Sequence, residues 1–245
     1  MRSMDWRTKP QMERLMKIRT LAASFVALAL LGGAVPAVIA AEPPTTWDDL
    51  KLVKSSRSAR LYLLPGANFQ PYSKVMLDKT EVAFRKNWVR DYNQSSGTIS
   101  RRIDDSDVDR VIKEVSSNFG DIFADEYQKA GYQVVQAPGP DVLRVRTGVI
   151  DLTVSAPDIR SSGRTYSASW EAGEATLVVE ARDSQTGALL GRALDRRVAG
   201  DTRAYLRNSV TNKADFKILF RKWAKASIQG LNRLKGGTPV AMAQK

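Results

Sequence analysis

Between Asp105 and Ala130, apolar side chains recur at three- and four-residue steps: Val108, Val111, Ile112, Val115, Phe119, Ile122, Phe123 and Tyr127. That is the period of an α-helix with one apolar stripe, and a helix of this length must cover that stripe with a partner of matching area. Phe216, Leu219, Phe220, Trp223, Ser227 and Leu231 repeat the pattern and predict a second helix over Asn212–Leu234, with Asn212 as its N-cap. The acidic run Asp104 to Asp109 precedes the first helix. It lacks the glycine and the distal glutamate of a calcium loop, so capping of free N–H groups is the better reading. Gly131 supplies the stop.

Strand-like stretches fill the remainder. "RLYLLP" (60–65) and "SKVMLDKTEVAF" (73–84) flank a turn-rich "PGANFQPY", and "YQVVQ" and "DVLRVRTGVIDLTVSA" flank "APGP". Within the last of these the apolar parity shifts around Gly148, which predicts a bulge there. Around "DSQTG" a hairpin is expected, with the Asp183 carboxylate accepting N–H groups and Gly187 left-handed. The polar segment Ser161–Gly173 reads as a mobile loop, and its Tyr166 and Trp170 are candidate contact residues. The expected fold is a single α+β domain over residues 41–236, an antiparallel or mixed sheet of about six strands with two long amphipathic helices packed on it.

Upstream, Arg2, Arg7, Lys9, Arg14, Lys17 and Arg19 outnumber Asp5 and Glu13 before an apolar run from Leu21 to Ala40. Gly32, Gly33 and Pro36 break that run short of a membrane span, and Val38 and Ala40 suit a peptidase cut before Ala41. Residues 1–40 therefore read as a cleaved signal peptide, with either Met1 or Met16 as the start, and residues 237–245 as a disordered tail. With no cysteine, lipidation at the cut, disulfides, thiolate catalysis and cysteine metal sites are excluded. A periplasmic or secreted protein without a lipid anchor is expected. The leader holds six bases and two acids, so its loss takes the formal charge from +12 to +8. A basic exported protein suits an anionic envelope component or another envelope protein as partner.

The chain also lacks histidine, which removes imidazole bases, imidazole triads and histidine zinc sites. No P-loop, SxxK or GxSxG pattern is present, and no cofactor, metal site or catalytic residue is assigned. Carboxylate chemistry through Glu171, Glu174, Glu180 or Asp183 stays open as a hydrolase acting on an envelope glycan. Glu180 and Asp183 are more simply an exposed strand residue and a turn cap. On the last helix, Lys217, Arg221 and Lys225 place three like charges on one stripe, a small cost that an anionic partner would relieve. Nucleic acid is not expected as that partner.

"WDDLKLV", "LLPGANFQPYSKVMLDKTEVAFRKNW", "AGYQVVQAPGPDVLRVRTGVIDLTV", "ATLVVEARDSQTGALLGRALDRR" and "NKADFKILFRKWAKASIQGL" resemble, in order, the bacterial envelope family called domain of unknown function 3313. The likeness runs from about Trp47 to Leu234. It implies an envelope location, and many members resemble lipoproteins, from which the missing cysteine departs; it assigns no site residues. The combined expectation is a non-catalytic envelope protein that binds a partner.

Overall fold

Strands of a mixed sheet carry the inward apolar residues against which the two long helices pack. The computed structural model describes residues 43–96, 102–155, 167–169, 172–200, 205–207 and 209–236. The expected leader, the expected tail, Tyr166, Trp170 and Glu171 lie outside the described residues. In chain order the elements are β1 (Thr46–Trp47), β2 (Leu50–Ser55), β3 (Ala59–Leu63), β4 (Lys74–Leu77), β5 (Glu81–Phe84), α1 (Trp88–Ser95) and α2 (Asp105–Lys129). There follow β6 (Gln133–Val134), β7 (Val142–Val154), β8 (Ser167–Ser169), β9 (Gly173–Asp183), β10 (Leu189–Ala199), β11 (Tyr205–Arg207) and α3 (Ser209–Lys235).

Nine of the strands form one sheet in the order β1-β2-β3-β10-β9-β7-β4-β6, with β5 following β4 along the same edge of β7. Strands β4 and β5 run parallel to β7, and the β1-β2-β3-β10-β9-β7 pairs are antiparallel. The α+β class and the mixed sheet hold, but about six strands was too few. The stretch read as one strand over 73–84 is two, interrupted at Asp78 to Thr80, and β1 and β2 are too short and polar to show period-2 patterning. Part of the expected loop is also strand, since β8 pairs antiparallel with β11.

Local signals set the ends of α2. Asp104 accepts from the Asp107 N–H at 2.9 Å, and Asp107 answers with a bond to the Asp104 N–H, a capping box. At the other end Gly131 sits at φ 88°, its N–H reaches the Gln128 carbonyl, and the Tyr132 N–H reaches Tyr127. That is a Schellman stop, closed by the Tyr127 and Tyr132 rings 5.6 Å apart. The last helix departs from expectation: Asn212 is not its cap but lies inside α3, 2% exposed, because the helix begins at Ser209. The bulge also moves. Gly148 pairs with Val178 in unbroken register, and the shift falls between Ile150 and Thr153, where Asp151 takes φ 52°. The extra residue there brings both Val149 and Leu152 into the core, which is the parity change visible in the sequence.

Helices α2 and α3 run parallel, as four contacts at a near-constant offset show: Glu114 with Lys213, Phe119 with Phe220, Tyr127 with Ser227, and Tyr132 with Asn232. Their stripes meet in a stack of Phe119, Phe123, Phe220 and Trp223 over Val145, Val149 and Leu177 of the sheet. Phe119 and Trp223 are buried to within 1% of completely.

Candidate functional site

The helices do not cover the whole inward face. Register places three rows of side chains on that face across β3, β10 and β9: Leu63, Gly191 and Ala181; Leu61, Ala193 and Val179; Ala59, Asp195 and Leu177. Several are small, and Gly191 has room for no side chain, since an added Cβ would lie 2.8 Å from Leu63 Cδ2. On the facing side of α3, Ala226 and Gly230 are small as well. Small residues on floor and roof leave a cavity of about 600 Å³. Its walls are Phe69, Leu143, Val145, Leu231 and Leu234, and Trp223 and Tyr127 close the side toward α2.

Polar groups are few and unevenly placed. The Tyr127 hydroxyl shares a 2.8 Å hydrogen bond with Ser227, and burial pushes its pKa up to about 12, so it stays a neutral phenol. The buried Trp223 Nε1–H has no hydrogen-bond partner among the described residues. The one carboxylate of the lining is Asp195, whose Oδ2 takes the Arg197 Nε at 2.8 Å. The lining residues that are both charged and well exposed are Lys54, Arg197 and Arg233.

The opposite face of the sheet is a lattice of ion pairs. Arg144 and Arg146 hold Asp78 at 2.9 and 3.5 Å, and Arg146 also reaches Glu81 at 3.2 Å. Arg192, 6% exposed, binds Glu180 at 2.7 Å and Asp48 at 2.9 Å while its guanidinium lies 4.0 Å from the Trp47 ring centre. Arg182 takes the other Glu180 oxygen at 2.8 Å. Burial alone would raise the Glu180 pKa, but the two guanidiniums outweigh it and hold the carboxyl below its usual range. Glu180 is therefore a partly buried, doubly paired anion and not an exposed strand residue. The signal was present in the hairpin: Glu180 and Arg192 stand directly opposite across β9 and β10.

Asp183 matches expectation as a turn cap, accepting from the Gln185 and Thr186 N–H groups at 3.1 and 2.7 Å, with Gly187 at φ 73°. These bonds hold its carboxyl below the usual range, and the Tyr72 hydroxyl adds one more at 3.0 Å. Glu174 is engaged by Arg196 through two nitrogens. The described residues contain no cluster of acids suited to a metal ion.

Lys217, Arg221 and Lys225 are all exposed on α3. The edge of α3 that carries them runs beside acids of α2: Lys213 meets Glu114 at 3.0 Å and Lys225 lies 4.0 Å from Glu126. These three cations stand apart from the cavity lining. The cavity itself was not foreseen, because it depends on small residues in four segments that only the tertiary register brings together.

These features define an α+β protein with one ion-paired sheet face and one helix-covered face enclosing an apolar cavity. The chain belongs to the family of proteins of unknown function DUF3313, whose model matches residues 46–227. No curated protein matches it. Among solved structures, the chain is similar to the PelC dodecamer from Paraburkholderia phytofirmans at 12% identity, covering 70% of this chain and 96% of that one with a TM-score of 0.34. It is similar to a putative neuraminyllactose-binding hemagglutinin homolog from Helicobacter pylori at 12% identity, with 71% and 90% covered and a TM-score of 0.37. A Xanthomonas campestris protein of the DUF330 family gives 10% identity, 71% and 90% coverage and a TM-score of 0.35.

Proposed function

We propose that this is an exported, non-catalytic envelope protein that binds an apolar ligand between α3 and the sheet. The observation that carries the reading is the cavity of about 600 Å³ floored and roofed by small and aliphatic residues. Its size falls inside the roughly 300–1,000 Å³ of small-molecule sites, which are mostly apolar with a few placed polar groups. A glycan hydrolase asks instead for two carboxylates facing each other across a cleft, and among the described residues this cavity has Asp195 alone, its Oδ2 on Arg197 and its buried Oδ1 without a partner. Export rests on the charged and apolar leader with small residues before Ala41.

The test of binding is fluorescence titration of the mature chain with N-phenylnaphthylamine, a neutral apolar dye that brightens out of water, in the wild type and in Gly230→Leu. An added side chain at Gly230 enters open space, with nothing within 4 Å of its Cβ, and leucine is the better helix former. Saturable brightening in the wild type, lost in a variant that melts no earlier, is expected. Absence of brightening, or the same brightening in both, refutes a ligand cavity. Mass spectrometry of a periplasmic extract checks export: a mature chain starting at Ala41 is expected.

A further inference from the structure

We infer that the ligand is an uncharged apolar molecule bearing one group that both accepts and donates a hydrogen bond, a hydroxyl or primary amide, held between α3 and Asp195; this rests on the cavity being a ligand site. The cavity lining leaves hydrogen-bonding capacity unused. Trp223 is 1% exposed, and its Nε1–H, a donor only, has no partner among the described residues. Asp195 on the floor spends Oδ2 on Arg197 and leaves its buried Oδ1 without a donor. Between Tyr127 and Ser227 two hydroxyls share one 2.8 Å bond, so one O–H hydrogen is left over among the described residues, whichever of them donates. Arg60 also has an unpaired Nε, but it alternates with Ala59 and Leu61 and so belongs to the opposite face of the sheet. Buried polar groups are paired in the great majority of cases, and unpaired ones gathered on one cavity point to a partner from outside the chain.

The chain pairings put these groups at one level. Helix α3 runs along β9: Phe216 packs at Gly173, where an added Cβ would lie 3.1 Å from its ring, and Lys235 donates to the Tyr72 carbonyl at 2.8 Å while the Tyr72 hydroxyl bonds Asp183 at the other end of that strand. Trp223, about a third of the way from Phe216 to Lys235, is therefore level with Leu177, and Leu177 stands opposite Asp195 across β9 and β10. Ser227 follows one turn later, and beyond it Ala181, Gly191, Leu63 and Leu231 supply apolar surface for the rest of the ligand. A group set between a free N–H and a free carboxylate oxygen must do both tasks. A carboxylate head can only accept and an ammonium head can only donate, whereas a hydroxyl or amide does both.

The experiment is displacement of N-phenylnaphthylamine from the mature chain by 1-dodecanol, by dodecyl methyl ether, which accepts but cannot donate, and by laurate. Dodecanol should displace the dye about tenfold more effectively than the ether or laurate, the worth of one hydrogen bond to a charged acceptor. In Asp195→Leu the advantage of dodecanol over the ether should vanish while the ether displaces as before. A variant that keeps both the dye and that advantage refutes Asp195 as the acceptor; if the variant no longer takes up the dye, the wild-type comparison decides. If Gly230→Leu leaves dye binding intact, the cavity reading itself fails. If Gly230→Leu abolishes binding but the ether or laurate matches dodecanol in the wild type, the cavity stands and the donating and accepting ligand is refuted.

Discussion

Arg192 is 6% exposed and Glu180 13%, so each ion depends on the other to remain charged in a place with little water. Glu180→Ala leaves the Arg192 guanidinium with only Asp48 and the Trp47 face, and a cost of about 3 kcal/mol is expected in urea denaturation. Glu180→Ala/Arg192→Met should cost less than the single change, since no unpaired charge is left behind. If the double variant is the less stable of the two, the pair is not the reason Glu180 is held. The tyrosines give the pH dependence. Burial and the Asp183 carboxylate push the Tyr72 hydroxyl up to about 12, as burial does for Tyr127. A folded pKa above the ordinary 10 means that this stability is complete below pH 10 and is lost as pH rises from 10 toward 12. Denaturation measured at pH 9 and 11.5 should show that fall in the wild type and a smaller one in Tyr127→Phe; identical falls would exclude Tyr127 as a contributor.

At the scale of elements, what the sequence makes legible is what neighbours in the chain decide. The capping box at Asp104, the stop at Gly131 and the turn at Asp183 were readable because their partners lie within a few residues. The bulge was readable in existence but not in place: the sequence shows that parity changes between Val145 and Leu152, while the pairing with β9 decides that Asp151 absorbs it. The like-charge stripe of α3 was read without its neighbour, because nothing in the sequence says that α2 runs parallel beside it with Glu114 and Glu126 at the matching steps. In each contact the lysine is exposed to solvent, which holds its worth to about 1 kcal/mol at most. Reversing Lys217, Arg221 and Lys225 to glutamate should leave the melting temperature within a few degrees, and it should reduce capture by anionic vesicles at low salt if the stripe is a contact surface. Equal capture of both forms at every salt concentration would show that the stripe is only a solvated face.

For the molecule as a whole, the sheet joins segments far apart in sequence, with Arg60 of β3 opposite Leu194 of β10 and Thr147 of β7 opposite Val179 of β9. This is why strand order and the cavity were not legible: distant pairings leave no local mark. The cavity floor draws on β3 near the start of the described chain, and its roof is the last helix. A chain ending at residue 208 lacks the roof and the cover for Val145, Val149 and Leu177. Such a chain should bind apolar dyes nonspecifically and unfold without a cooperative transition; a sharp thermal transition would show that α3 is dispensable for the core.

That placement of α3 also sets an order of events during synthesis. The helix Ser209–Lys235 is the last element of the described chain to leave the ribosome, and β3, which pairs with β2 on one edge, has no neighbour on its other edge until β10 is made. The strands of the cavity floor are complete at Ala199, so the roof is the last part of the cavity to form. Until then the apolar floor residues Leu61, Leu177 and Val179 have no helix over them.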